Sequence, residues 1–150
     1  MRDTTGLPRL ARRAATADDA PFLLALRRTT MDPHLSASGV TTSEEHHRAR
    51  LDYRFDCAEV LLHEGVPAGL LKVARDDSPW TVIQIQLVPE LQGRGLGGEI
   101  LAEVIADAKA ANAGVCLSVL KANPARGLYE RMGFVVVGED GQEYEMLRRA

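Results

Sequence analysis

The sequence predicts an α+β domain, a mixed and mainly antiparallel central sheet with helices on both faces. Three observations carry that expectation. Three strand-like runs follow one another between residues 58 and 88 with only short turns between them, and strands joined that way pair antiparallel. Two later helix-like runs each stand between strand-like runs, the arrangement of crossover connections that pack helices onto a sheet. The chain has 150 residues, 45% hydrophobic and 26% charged, so it is sized and composed for one domain over 1–150 with its own core.

Taken in order, LARRAA (residues 10–15) is a first strand. TADDAPFLLALRRTT (16–30) is a helix: Thr16 or Asp18 can cap it, Pro21 lies in its first turn, and Phe22, Leu23 and Leu26 make an apolar stripe. MDPHLSASG (31–39) reads as a loop. TTSEEHHRARLDYRF (41–55) is a second helix, with Thr42 and Glu45 spaced as a capping box. AEVLLHEG and VPAGLLKVARDD are two strands joined at Glu64-Gly65. In WTVIQIQLV (80–88), Val82, Gln84, Gln86 and Val88 fall on one face and Ile83, Ile85 and Leu87 on the other. A third helix carries Leu96, Ile100, Leu101, Val104, Ile105 and Ala108 at helical spacing. VCLSVL (115–120) is a buried strand. Asn123-Pro124 starts a short helix that stops at Gly133, and FVVVGEDGQEYEMLRR (134–149) gives two strands around the turn GEDG.

The formal net charge of −3 and the lack of a basic stripe argue against a nucleic-acid binder. Two lone cysteines, Cys57 and Cys116, suit a reducing compartment rather than a disulfide scaffold, and neither stands in a reactive-looking context. No secretory leader and no membrane-spanning run is visible, so the cytoplasm is the expected location. No metal-ligand spacing is found among His34, His46 and His47.

The stretch VPELQGRGLGGEI, Val88 to Ile100, is the candidate site. Glycine lets backbone turn sharply and approach a ligand closely. At a helix start, unpaired N–H groups and the helix dipole favour an anion. Amides from Gly93 through Arg94, Gly95, Leu96, Gly97 and Gly98 can wrap a phosphate pair, with Arg94 adding charge. A Walker loop is excluded, since no Gly-Lys-Ser/Thr follows. Gly93, Gly95 and Gly98 match G-x-G-x-x-G, but the acidic residue about 20 positions later is missing: that region reads Ser118-Val119-Leu120-Lys121. A nicotinamide or flavin site fits poorly.

VPELQGRGLG is similar to the acetyl-CoA pyrophosphate motif of the GNAT superfamily of N-acetyltransferases, Gln/Arg-x-x-Gly-x-Gly/Ala, with Gln92, Gly95 and Gly97 in the defined places. LSVLKANPARGLYERMGF resembles the family's second motif through Asn123, Leu128, Tyr129, Gly133 and Phe134. The resemblance implies the GNAT-like acyl-CoA N-acyltransferase fold, acetyl-CoA as co-substrate, and direct transfer of the acetyl group to a primary amine on a small molecule or peptide. It implies a sheet that splays between TVIQIQLV and VCLSVL, with the pantetheine arm in the gap. Backbone groups of Leu87 and Val88 would pair with that arm, and an amide there would hold the oxyanion. Gln92, Gly93, Arg94, Gly95, Leu96, Gly97 and Gly98 would hold the diphosphate. Asn123 would contact the pantetheine, a helix cap being its other role. Tyr129 would be the general acid; at helical spacing with Ala125, Leu128 and Met132 it also fits plain packing.

The base has no obvious residue. Many relatives use a glutamate on the central strand or the strand before the Asn; here those strands offer Gln84, Gln86 and Ser118. Glu90 lies in the cofactor loop, and His34, His46 and His47 lie in the half that borders the acceptor in relatives. Asp32, Glu44, Glu45, Asp52 and Asp56 make that half acidic, which would favour a cationic amine. A non-catalytic acyl-CoA sensor on the same fold is the competing expectation. Edge strands leave room for a homodimer.

Overall fold

The structure, a computed structural model, describes the backbone of residues 10–37 and 43–150 and the side chains of 10–31 and 43–150. Seven strands form one sheet: β1 (Ala11–Ala14), β2 (Ala58–His63), β3 (Val66–Ala74), β4 (Trp80–Leu87), β5 (Val115–Leu120), β6 (Val135–Glu139) and β7 (Glu143–Arg148). Their order is β1-β2-β3-β4-β5-β7-β6. Every neighbouring pair is antiparallel except β4–β5. Helices α1 (Ala20–Ala37), α2 (Glu44–Asp52), α3 (Leu96–Ala110) and α4 (Arg126–Arg131) complete the fold. This is the mixed α+β sheet that the strand pattern implies. Among the described residues no helix is long and apolar enough to cross a membrane.

Two apolar clusters show how the helices use the two faces. Leu96, Ile100, Leu101, Val104 and Ala108 of α3 are buried with Leu71, Val73, Val115 and Leu117 of the sheet and Phe134. On the other face Leu23, Leu24 and Leu26 of α1 and Leu51 of α2 are buried with Ala58 and Leu70. Each such leucine contributes about 1.5–3 kcal/mol by leaving water. Charged side chains lie inside as well: Asp19 and Arg27 are buried, and Lys72 of β3 is fully so. Its ammonium donates to the carbonyls of Arg50 (3.1 Å), Leu51 (2.9 Å) and Tyr53 (2.6 Å), the free carbonyl end of α2. Burial nonetheless pulls its pKa down to about 8, helped by the nearby Arg50 and Arg27.

Several local expectations need amending. The segment MDPHLSASG is not all loop, since α1 continues to Ala37 with Pro33 inside it. Proline removes one N–H, and a helix already anchored by packed leucines loses one bond rather than its whole end. Thr42 lies outside the described residues; the cap on α2 is Ser43, whose Oγ accepts from the His46 N–H at 3.1 Å. That helix stops at Asp52, short of Phe55. The short helix starts at Arg126, not Pro124: Asn123 Oδ1 accepts the Ala125 N–H at 2.9 Å, so the side chain builds the turn before the helix. The Glu64-Gly65 turn stands as read, with φ of 53° and 81°. Such a pair of left-handed residues matches the twist of a two-residue hairpin.

Candidate active site

The parallel junction places the site. β4 and β5 pair only at Trp80–Val115, Thr81–Cys116 and Val82–Leu117. Beyond them β4 runs on through Ile83–Leu87 against β3 alone, while β5 runs on against β7. The sheet therefore opens between the two strands, and the open edge of β4 keeps unpaired backbone groups. The Val88 N–H donates to Ala68 of β3 at 2.9 Å. Because N–H groups alternate along a strand, the amides of Ile85 and Leu87 point the other way, into the gap.

On one side of the gap lies a cleft of about 630 Å³. Leu87, Gln92, Gly93, Gly95, Leu96 and Gly97 line one wall. Asn123, Leu128 and Tyr129 line another. Geometry accounts for the glycines. Gly93 and Gly95 have φ of 76° and 79°, a region that strains other residues. Gly95 is the N-cap of α3 and supplies no side-chain cap, and the first helical bond is Glu99 N–H to Gly95 at 3.1 Å. The N–H groups of Leu96, Gly97 and Gly98 therefore have no intrahelical partner. Gly97 has no left-handed φ to explain it, and a Cβ there would meet nothing within 4 Å. A helical glycine that the fold does not need, beside an open cleft and three free amides, leaves room for an anion to approach the backbone. Gln92 braces the loop: its Nε2 donates to the Leu87 carbonyl at 2.9 Å.

Three residues of the expected set stand apart from this cleft. Val88 gives its N–H to Ala68 and its carbonyl accepts the Leu91 N–H, so its backbone is not offered to the gap; the backbone offered there is that of Leu87 and Ile85. Arg94 is exposed and does not line the cleft. Gly98 does not line it either; a Cβ there would sit 3.6 Å from Leu128, so its smallness serves the contact between α3 and α4.

A second cavity, about 380 Å³, opens on the α1–α2 face. Gln84 and Gln86 stand on that face of β4 beside Lys72 and Leu70 of β3. Both glutamines are more than nine-tenths buried, and both amide atoms of Gln84 and Oε1 of Gln86 have no partner among the described residues. Arg27, His46 and Arg50 from the helices and Glu143 from β7 also line it. The acidic residues expected at an acceptor rim do not: Glu44 pairs with Arg28, Asp56 pairs with Arg54, and none of Glu44, Glu45, Asp52 or Asp56 lines the cavity. Asp32 is outside the described side chains. Arginine lines this wall because α1 buries Arg27 there and the exposed Arg50 of α2 borders it.

Met31, Ile85, Gln86, Asn123 and Tyr129 line both cavities. Tyr129 sits on α4, its ring tilted against Phe134 with centroids 6.1 Å apart. Burial pushes its phenol pKa up, so it keeps its proton at neutral pH. Asn123 uses Oδ1 for the turn, and its Nδ2 has no partner among the described residues. Sequence reasoning missed Arg27 and Arg50 as cavity residues, since nothing in a helix pattern says which arginine borders a cavity.

A split mixed sheet, with an anion-ready helix start on one side of the split and a polar cavity on the other, defines an acyltransferase-type domain. The chain belongs to the GNAT acetyltransferase family: the family's "Acetyltransferase (GNAT) domain" model matches residues 32–147. No curated protein sequence matches the chain significantly. Solved structures share its fold. The PaiA N-acetyltransferase of Thermoplasma acidophilum, in complex with coenzyme A, is 17% identical with a TM-score of 0.74, covering 95% of this chain and 99% of its own. An acetyltransferase of Thermus thermophilus is 22% identical with a TM-score of 0.73, covering 94% and 97%. The N-acetylglutamate synthase of Neisseria gonorrhoeae, complexed with coenzyme A and N-acetyl-glutamate, is 18% identical with a TM-score of 0.68, covering 95% of this chain but 35% of its own.

Proposed function

We propose that the protein transfers the acetyl group of acetyl-CoA directly to a primary amine within a ternary complex, with Tyr129 as general acid. The observation that carries this reading is that Tyr129 lines both cavities, where a thioester from one side and an amine from the other would meet. The diphosphate would sit on the amides of Leu96 and Gly97, held in shape by Gln92, Gly93 and Gly95. The pantetheine would follow the open edge of β4, and Asn123 would reach it through Nδ2.

The amine lone pair attacks the thioester carbonyl. The oxyanion that forms needs a fixed donor, and the Leu87 amide faces the gap; one such donor is worth about 10²–10³ in rate in comparable sites. Collapse expels a thiolate, whose parent thiol has an ordinary pKa of about 8.5. Tyr129 protonates it. Neither cysteine supports a covalent acyl-enzyme. Burial and the neighbouring Asp56 push the Cys57 thiol up, and neither Cys57 nor Cys116 lines either cavity. The lack of a carboxylate on β4 and β5 favours a second reading, an acyl-CoA sensor.

Calorimetry with acetyl-CoA, followed by thiol release with a panel of amino acids, polyamines, arylalkylamines and lysine peptides, decides between them. Tyr129→Phe should leave the acetyl-CoA Kd within about twofold and lower kcat about 10²–10⁴-fold. Tight acetyl-CoA binding with no thiol release from any amine establishes the sensor.

A further inference from the structure

We propose that His46 is the base of this reaction, its Nε2 taking a proton from the acceptor's ammonium group inside the cavity that Gln84 and Gln86 face; this rests on the acetyl-transfer reading above. His46 lines that cavity, and its Nε2 is buried without a partner among the described residues. Leaving a buried polar atom unmatched is costly, so such atoms mark a place where something else binds. Here they share one cavity: His46 Nε2, both amide atoms of Gln84 and Oε1 of Gln86 are buried without partners among the described residues, and His46, Gln84, Gln86 and Tyr129 all line it. The glutamine oxygens can hold two N–H bonds of an ammonium while the imidazole takes the third.

The surroundings keep the imidazole neutral and ready to accept. Burial lowers its pKa first, then Arg27 of α1, then His47 and Arg50 of its own helix. It also sits in the first turn of α2, where the helix dipole disfavours added positive charge. Glu44 and Glu45 precede it, Glu44 tied to Arg28, and Tyr53 follows at the end of the helix. Glu143 of β7 and Tyr129 of α4 line the same cavity; Lys72 of β3 holds the far end of α2. The same positive field lowers the pKa of an ammonium placed beside it, so donor and base shift together.

In the step, an ammonium N–H bond breaks and His46 Nε2 takes the proton, leaving the nitrogen its lone pair. That pair forms the C–N bond at the thioester carbonyl. The C–S bond breaks with its electrons on sulfur, and the Tyr129 proton follows. The nitrogen's surplus proton returns to the tyrosinate through solvent, and the imidazolium releases its proton. The balance is one ammonium and one thioester giving one amide, one thiol and one proton.

The test uses the full chain, acetyl-CoA and whichever amine of the panel releases thiol fastest. Wild type should show an acidic limb in kcat/KM with a midpoint below the ordinary imidazole value of 6.5. His46→Gln should lower kcat about 100-fold at pH 7 with the acetyl-CoA Kd unchanged, lose that limb, and recover as pH rises toward the amine's own pKa. A purely structural loss would not be relieved by pH. An unchanged limb in His46→Gln, a deficit constant across pH, or loss of the limb in Glu143→Gln instead overturns the proposal. If His46→Gln does not fold, proton NMR of wild type decides: the His46 imidazole must titrate at the midpoint of the limb, and any other midpoint overturns it. Failure of the acetyl-transfer reading looks different, because then wild type itself releases no thiol.

Discussion

The two cavities that meet at Tyr129 are built from different materials, and the difference explains how each can be read, damaged and repaired. The larger cleft has one wall that is mostly backbone: left-handed Gly93 and Gly95, the unpaired amides of Leu96 and Gly97, and the open edge of β4. The smaller cavity is made of residues from six separate elements: Arg27, His46, Gln84, Ser118, Tyr129 and Glu143 stand on α1, α2, β4, β5, α4 and β7. A backbone cradle depends on a continuous stretch of chain holding its dihedrals. A side-chain cavity depends on distant elements staying docked. Damage to docking should therefore empty the second and spare the first.

Lys72→Met tests that separation with the largest expected effect. The ammonium closes three carbonyls at the end of α2, and methionine fills its space while leaving all three unmatched. The expected loss is about 3 kcal/mol, at about 1 kcal/mol per orphaned carbonyl, or roughly 10 °C in Tm for a domain of this size. Circular dichroism melts measure it. At about 15 °C, near the usual stability maximum, where the variant is folded, acetyl-CoA affinity should stay within about twofold while the amine KM rises. Equal losses in both would show that the two cavities are not independent.

Gly97→Glu attacks the other side and should move stability and binding in opposite directions. Glutamate is a better helix residue than glycine by about 1 kcal/mol, and its charge suits a helix start. No atom stands within 4 Å of the added Cβ, so the fold accepts it. A carboxylate beside the free amides would repel a diphosphate, and acetyl-CoA affinity should fall about 100-fold while Tm rises by about 2 °C. Calorimetry and a melt on one preparation settle it. Unchanged acetyl-CoA binding would place the cofactor elsewhere.

The same division decides what could be read from the sequence. The glycine stretch lies within about a dozen consecutive residues, so its turn, its helix start and its free amides are visible in the order Gln92, Gly93, Gly95, Gly97. Asn123 and Tyr129 are legible for the same reason, being two ends of one short segment. Val88 is not, because the direction of a strand amide depends on its partner, and only the pairing with Ala68 reveals it. The wall of the smaller cavity resists because no local pattern tells that Arg27 and Arg50 line it while Glu44 and Asp56 are occupied by arginines at the surface. His46 and His47 look alike in sequence. The fold sends His47 to a buried bond from Arg27 Nε at 3.0 Å, while His46 lines the cavity and its Nε2 is buried without a partner among the described residues. The full length of α1 is hidden because Asp32-Pro33 reads as a break, and tertiary packing overrides it.

Asp19→Asn should give the smallest effect and a pH signature. Arg13 grips the Asp19 carboxylate with two bonds of 2.8 Å, and the Thr16 N–H adds a third of 2.8 Å, tying β1 to the start of α1. Arg13 above all, with Thr16 behind it, pulls the carboxyl from 3.8 down to about 2. A folded pKa below the unfolded one means the stabilisation is fully present above about pH 4 and disappears as pH falls through about 2. Asparagine keeps the shape without the charge, so at neutral pH the variant should lose about 1 kcal/mol, Arg13 being partly in solvent, and about 3 °C in Tm. At about pH 2 and below the two melts should converge. Because this tie anchors the helix that carries Arg27, the amine KM should respond more than the acetyl-CoA Kd. The reverse order would mean that β1 and α1 support the glycine cleft, and that the division between a backbone-made and a side-chain-made cavity does not run where the sheet splits.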